Sequence, residues 1–172
     1  MEEKRDLEGK TLLRDFAGIL ESRNLNEEDR TIEFPFSSEA PVDRGYLGEE
    51  ILDHREGSID FSRLNAAAPL LFNHSPDAVL GVVERGYLDK TKKRGMAVVR
   101  FAKNAAGEEA LNLVKDGIYR NVSFGYSVNE TEEMGDGAYR VTSFTPAEVS
   151  LVSVPADYSV GVSRAKSEGL SD

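Results

Sequence analysis

The sequence predicts a mainly β protein of the α+β type, with a compact antiparallel, barrel-like core and two to three flanking helices. Short runs of β-branched and aromatic residues alternate with polar residues and are separated by charged or glycine-rich turns. Helical periodicity is confined to a few stretches, and 172 residues suit one core better than two marginal ones. We therefore expect a single domain built around one sheet.

The first elements differ in their periodicity. Residues 11–23 carry apolar side chains at helical spacing, which predicts an amphipathic helix within an N-terminal helical extension of residues 1–29. Residues 32–36 alternate apolar and polar side chains, which predicts a strand. Pro35 favours a sheet edge for this strand, because proline has no N–H to donate to a neighbour.

The middle of the chain predicts a hairpin followed by a helix. Residues 78–88 and 95–102 are rich in β-forming residues and flank a charged turn. Residues 104–116 then predict a helix, because the side chain of Asn104 can cap its first turn and Gly117 can end it.

The last third predicts three more strands. In residues 118–128 one strand face is mostly apolar, and the other is small and polar and carries Ser123. Residues 132–137 form an acidic turn signal before the β-rich residues 139–144 and 148–154. We expect the domain proper to span residues 30–165 and residues 166–172 to form a disordered tail.

Composition excludes several classes of function. The formal charge of −10 and the sequence pI near 4.8 argue against binding to nucleic acid. The absence of cysteine excludes thiolate catalysis and disulfides, and two histidines cannot form a three-histidine zinc site. No secretory signal and no apolar run of about 18 residues is present, which predicts synthesis in the cytoplasm and no membrane span.

Three polar residues could carry chemistry. His74 follows the apolar run of residues 69–72, so its imidazole lies in a turn at the end of a strand; an ordinary surface histidine is the alternative. Ser123 has Gly125 two positions further on, and a strand glycine favours close approach of another group to the backbone; a purely structural strand serine is the alternative. Glu148 begins a β-branched run, where an acid is either turned outward or paired with a donor such as an imidazole.

Two other patterns are less informative. His54 lies in a charged, loop-like stretch, which favours an ordinary histidine. The segment around Ser123 lacks the first glycine of the G-x-S-x-G motif, which is Asn121 here, and no helix follows. An α/β-hydrolase is therefore disfavoured.

Several segments taken together resemble the prohead proteases of tailed bacteriophages, a capsid-maturation family related in fold to herpesvirus assemblin. They cover roughly residues 30–165 in order and spacing. The matching segments are residues 50–54 (EILDH), 62–65 (SRLN), 68–74 (APLLFNH), 81–84 (GVVE), 116–126 (DGIYRNVSFGY) and 148–157 (EVSLVSVPAD).

This resemblance implies roles for the three candidates. It assigns Ser123 as nucleophile, His74 as general base and Glu148 as the third, orienting member, with Asp157 and Asp53 as less favoured acids. Assemblins use a second histidine after the serine. Both histidines of this chain precede Ser123, so a carboxylate must substitute.

The resemblance also implies a substrate and a place of action. The expected enzyme is a serine endopeptidase that removes the scaffold segment of the phage major capsid protein and cleaves itself, inside the prohead in the host cytoplasm. It implies no cofactor and no metal, and it allows a homo-oligomer. The alternatives are a catalytically silent capsid-assembly protein that binds the scaffold, and a serine hydrolase of small esters.

Overall fold

The computed structural model describes residues 7–155, which form ten strands, one α-helix and three short 3-10 turns. The strands are β1 (Thr11–Phe16), β2 (Leu25–Asn26), β3 (Thr31–Ser37), β4 (Val42–Asp43), β5 (Glu49–Leu52), β6 (Pro69–Phe72), β7 (Ser75–Asp89), β8 (Arg94–Phe101), β9 (Asn121–Gly135) and β10 (Ala138–Val152). The helix is α1 (Ala105–Lys115), and the 3-10 turns are Ser22–Asn24, Gly45–Leu47 and Leu64–Ala66. Within the described residues no helix is both long and apolar enough to cross a membrane.

One curled sheet joins the strands in the order β1-β9-β10-β6-β7-β8-β3-β2. β10 is the central strand: it is antiparallel to β9 along its length, and parallel to β5 near its start and to β6 near its end. The remaining pairings are antiparallel. The predicted mainly β fold class is confirmed.

The predicted hairpins and the helix after Asn104 are also present. β7 pairs with β8, and β9 pairs with β10 through a two-residue turn. In that turn Asp136 and Gly137 have φ of 54° and 79°, the left-handed conformation that two-residue hairpins require. The side chain of Asn104 accepts a hydrogen bond from the Gly107 N–H at 2.8 Å and caps α1.

The helix predicted over residues 11–23 is wrong. Residues 11–16 are strand β1, which pairs with β9, and the described residues contain one α-helix rather than two to three. The apolar spacing misled because the one buried side chain of β1 is charged: Arg14 is 6% exposed, whereas Leu13 is 40% exposed. The division at residue 30 stays a prediction, and the tail of residues 166–172 lies outside the described residues.

Arg14 is buried because it belongs to an ion-pair network around Glu50, which is fully buried. Glu50 accepts hydrogen bonds from Arg14 at 2.9 Å, Arg44 at 3.2 Å, Tyr126 at 2.5 Å and Tyr139 at 2.8 Å. Burial by itself raises the pKa of Glu50, but the two arginines outweigh it and hold the pKa below its ordinary value. Burial also raises the pKa of Tyr126 to about 12, so the phenol remains a donor.

Candidate active site

His74 lies in the tight turn between β6 and β7. Phe72 pairs with Ser75, so Asn73 and His74 form a two-residue hairpin loop with φ of 51° and 61°. Asn and His are among the non-glycine residues that tolerate this left-handed conformation. The predicted strand followed by a turn with the imidazole at its end is present.

Ser123 lies on β9, and its strand has the two predicted faces. The apolar face is fully buried and consists of Val122, Phe124, Tyr126 and Val128. Ser123 is on the opposite face and is also fully buried. The serine is therefore fixed by a strand whose other face is part of the hydrophobic core.

A β-bulge directs Glu148 towards the same face. Pro146 is opposite Tyr126 and Glu148 is opposite Gly125, so Ala147 is an extra residue in β10. Residues directly opposite each other in antiparallel strands point to the same face. Because an extra residue shifts the alternation by one, Glu148 turns away from the core face, on which Pro146 lies, and joins the polar face of β9.

The three side chains form one continuous chain of hydrogen bonds. His74 Nε2 is 2.8 Å from Ser123 Oγ, and His74 Nδ1 is 2.5 Å from Glu148 Oε2. A carboxylate accepts but does not donate, so Nδ1 carries the proton and Nε2 has the free lone pair. An imidazole in this tautomer can take the proton of the serine hydroxyl.

Ser150 is a fourth member that the sequence analysis missed. Its hydroxyl is fully buried, donates to Glu148 Oε1 at 2.9 Å and accepts the backbone N–H of His74 at 3.0 Å. It thereby holds both the carboxylate and the histidine turn. Residues two apart on a strand share a face, so the spacing of Glu148 and Ser150 is the signal that could have identified it.

Gly125 explains why the polar face of β9 contains a glycine. A Cβ atom at this position would lie 2.8 Å from Glu148 Oε2, closer than real Cβ contacts come. The carboxylate therefore occupies the space that a side chain would fill. The predicted close approach of another group to the backbone is present, and that group is Glu148.

The second histidine, His54, forms a buried pair with a serine. His54 is 2% exposed and Ser37 is 1% exposed, with His54 Nε2 2.8 Å from Ser37 Oγ. His54 Nδ1 faces the Leu52 carbonyl at 2.9 Å instead of a carboxylate, and burial lowers the pKa of the imidazole. His54 is thus a buried, neutral side chain rather than one in an open, charged loop.

Of the two alternative acids, Asp53 is not part of this hydrogen-bonded chain. The carboxylate of Asp53 is engaged by Arg55 at 2.6 Å. Asp157 lies outside the described residues. Residues 7–155 contain no group of three or more His, Cys, Asp or Glu side chains arranged to hold a metal ion.

A serine, a histidine and a carboxylate linked in this order form the arrangement that serine hydrolases of several unrelated folds share. Residues 40–170 match the family described as caudovirus prohead serine protease. Because the match covers more than half of the sequence, the chain belongs to this family.

The chain also resembles individual phage proteins. It is 43% identical over 142 residues to a major capsid protein of Halomonas phage phiHAP-1, and the match covers 78% of this chain but 23% of that protein. The chain thus spans about a quarter of the length of this curated relative. The bacteriophage T4 capsid assembly protease, gp21, has a similar fold, with a TM-score of 0.59, 15% identity, and coverage of 84% of this chain and 98% of that chain.

Proposed function

We propose that this chain is a serine endopeptidase of phage capsid maturation, with Ser123 as nucleophile, His74 as general base and Glu148 as orienting acid. The observation that carries the proposal is the hydrogen-bonded chain of 2.8 Å and 2.5 Å within a member of the prohead serine protease family. The pair of Ser37 and His54 lacks a carboxylate on Nδ1, and its histidine is buried, whereas the side chain of His74 is partly exposed. It therefore does not compete for this role.

The geometry supports an acyl-transfer mechanism. Ser123 Oγ attacks the carbonyl carbon of a peptide bond while His74 Nε2 takes the hydroxyl proton. The tetrahedral intermediate collapses when His74 returns that proton to the leaving amine, which breaks the C–N bond and leaves an ester on Ser123. Water activated by His74 then hydrolyses the ester and regenerates the serine.

Glu148 contributes through His74. Its hydrogen bond to Nδ1 fixes the tautomer and the orientation of the ring, and its negative charge stabilises the imidazolium that forms in each step. The second carboxylate oxygen is held by Ser150, so the acid is oriented on both sides.

We further propose that the substrates are the scaffold segment of the major capsid protein and the chain itself. The match to a phage protein described as a major capsid protein supports this choice, as does the fold shared with a protein described as a capsid assembly protease. Cleavage would take place inside the prohead, after packaging in the host cytoplasm. Confinement there raises the local concentration of substrate, so tight intrinsic binding is not required.

Co-expression with the capsid protein of the same phage tests the proposal. The wild-type chain should shorten the capsid protein by a fixed mass, and the S123A variant should leave it intact, as measured by intact mass spectrometry of both chains. Processing by S123A would contradict the assignment. Binding of the capsid protein without cleavage by the wild type would instead support the catalytically silent assembly protein.

A further inference from the structure

The candidate nucleophile is covered in this structure. Ser123 is 0% exposed, and strand β1 lies along β9 with Asp15 directly opposite it. Among residues 7–155, β1 is the outermost strand on this side of the sheet, since β9 is its neighbour and the strand order ends there. A serine that is fully covered cannot reach a peptide carbonyl, so the cover has to move before cleavage.

β1 also competes for the hydroxyl proton of Ser123. Ser123 Oγ lies 2.8 Å from His74 Nε2 and 3.1 Å from the backbone carbonyl of Arg14. A serine hydroxyl has one proton to donate. While that proton is donated to Arg14, it is not available to His74.

The anchor of β1 can be released without leaving Glu50 unpaired. When Arg14 departs, Glu50 keeps Arg44, Tyr126 and Tyr139 as hydrogen-bond donors. Arg14 itself is imperfectly satisfied, because its Nε is buried and makes no hydrogen bond in the part of the chain that the structure describes. An uncompensated buried donor disfavours the bound state of β1.

The edge of β9 that β1 occupies can pair with another strand. An exposed strand edge binds extended peptides through backbone hydrogen bonds, whatever their sequence. The region that matches the family begins at residue 40, so β1 precedes the matched part of the chain. Strand β9, which carries Ser123, lies within the matched part, whereas β1, which covers the edge of β9, does not.

We propose that β1 is a displaceable strand, which occupies the edge of β9 where an extended segment of the capsid protein pairs for cleavage. This inference rests on the proposed function for the identity of the peptide. Displacement exposes Ser123, frees its proton for His74 and offers the substrate the ladder of hydrogen bonds that β1 now makes.

A reversible cross-link between β1 and β9 tests the displacement. Thr11 and Ser127 are directly opposite each other, and residues in this position have Cα atoms about 4.5–5.5 Å apart, within the range of a disulfide. The chain has no cysteine of its own, so T11C/S127C forms a single defined bond. The S127C variant, treated identically, is the control for the oxidant and for the change at the strand.

Binding is measured first, in the S123A background, with the immobilised chain and the capsid protein of the same phage in solution. We expect the oxidised T11C/S127C form to bind at least about tenfold more weakly than the reduced form, and reduction to restore binding. Equal binding by the two forms, or binding by neither, would overturn the proposal.

Cleavage by the same cross-linked pair with Ser123 restored then separates the two proposals. A reduced form that binds but does not cleave would contradict the peptidase function and leave strand displacement standing. Equal cleavage by both forms would support the peptidase function and contradict displacement.

Discussion

Gly125→Ala perturbs the candidate site without replacing any of its three side chains. The new Cβ would lie 2.8 Å from Glu148 Oε2, whereas ordinary contacts of this kind begin near 3.4 Å. The carboxylate therefore has to retreat by about 0.6 Å, the difference between these two distances. Because the obstructing atom is the end of a flexible side chain rather than backbone, the strand itself can remain in place.

The retreat should reduce catalysis far more than stability. It lengthens or tilts the 2.5 Å hydrogen bond that holds His74, and a misplacement approaching 1 Å can cost about 10²-fold in rate. We therefore expect kcat for capsid protein cleavage to fall about 10²-fold. The free energy of unfolding should change by no more than about 1 kcal/mol, because a strand alanine has a better intrinsic preference than glycine.

The assay is the initial rate of capsid protein cleavage, combined with urea denaturation of each variant. Gly86→Ala on strand β7 is the matched control. Its new Cβ is crowded by the side chains of Leu64 and Phe61 rather than by a residue of the candidate site. In the E148Q background Gly125→Ala should have almost no further effect on kcat, because both changes act through the same contact. Wild-type activity in Gly125→Ala would refute the assignment of Glu148 as the orienting acid.

Three further predictions concern the surroundings of the site. Ser150→Ala should lower kcat about 10- to 10²-fold in the cleavage assay, since it removes a hydrogen bond to a carboxylate. Glu50→Gln should lower the free energy of unfolding by about 3–5 kcal/mol in urea denaturation, because it leaves two arginines without their counter-charge. Burial lowers the pKa of His54. Below pH about 6.5 this imidazole is therefore protonated in the unfolded chain but still neutral in the folded chain. Stability should therefore fall as the pH drops from about 6.5 towards the native pKa, by at most about 1.4 kcal/mol per pH unit, and His54→Gln should flatten this slope in denaturation curves.

The local setting of the site residues could be predicted because its signals are local, whereas their catalytic roles came from the resemblance to the prohead proteases. The turn at His74 follows directly from the apolar strand before it, and the polar face of Ser123 follows from alternation along one strand. The closeness of Gly125 to another group also follows from the cost of a glycine in a strand. In each case the pattern is contained within a few neighbouring residues.

Long-range pairing could not be predicted in the same way. β1 has apolar residues at helical spacing, yet its partner β9 lies more than 100 residues further along the chain. Arg14 is buried because Glu50 neutralises it, and this is a property of the folded network rather than of the segment. The burial of His54 has the same origin, since its partner Ser37 belongs to the distant strand β3.

The orientation of Glu148 depends on the bulge at Ala147, which the sequence did not predict. The sequence indicates that the acid requires a donor, but it does not indicate which face of β10 it lies on. One extra residue in the strand decides the face and brings the carboxylate to His74.

Labelling with a fluorophosphonate tests the central claim, that Ser123 is the nucleophile, most directly. The reagent forms a stable adduct with an activated serine, and peptide mapping by mass spectrometry locates it. With the capsid protein present, so that β1 can be displaced, we expect one adduct, on Ser123, and capsid protein cleavage should fall in proportion to its formation. His74→Ala should abolish both the adduct and the cleavage. A chain that cleaves the capsid protein while Ser123 remains unmodified, or that carries the adduct on another serine, would contradict the account.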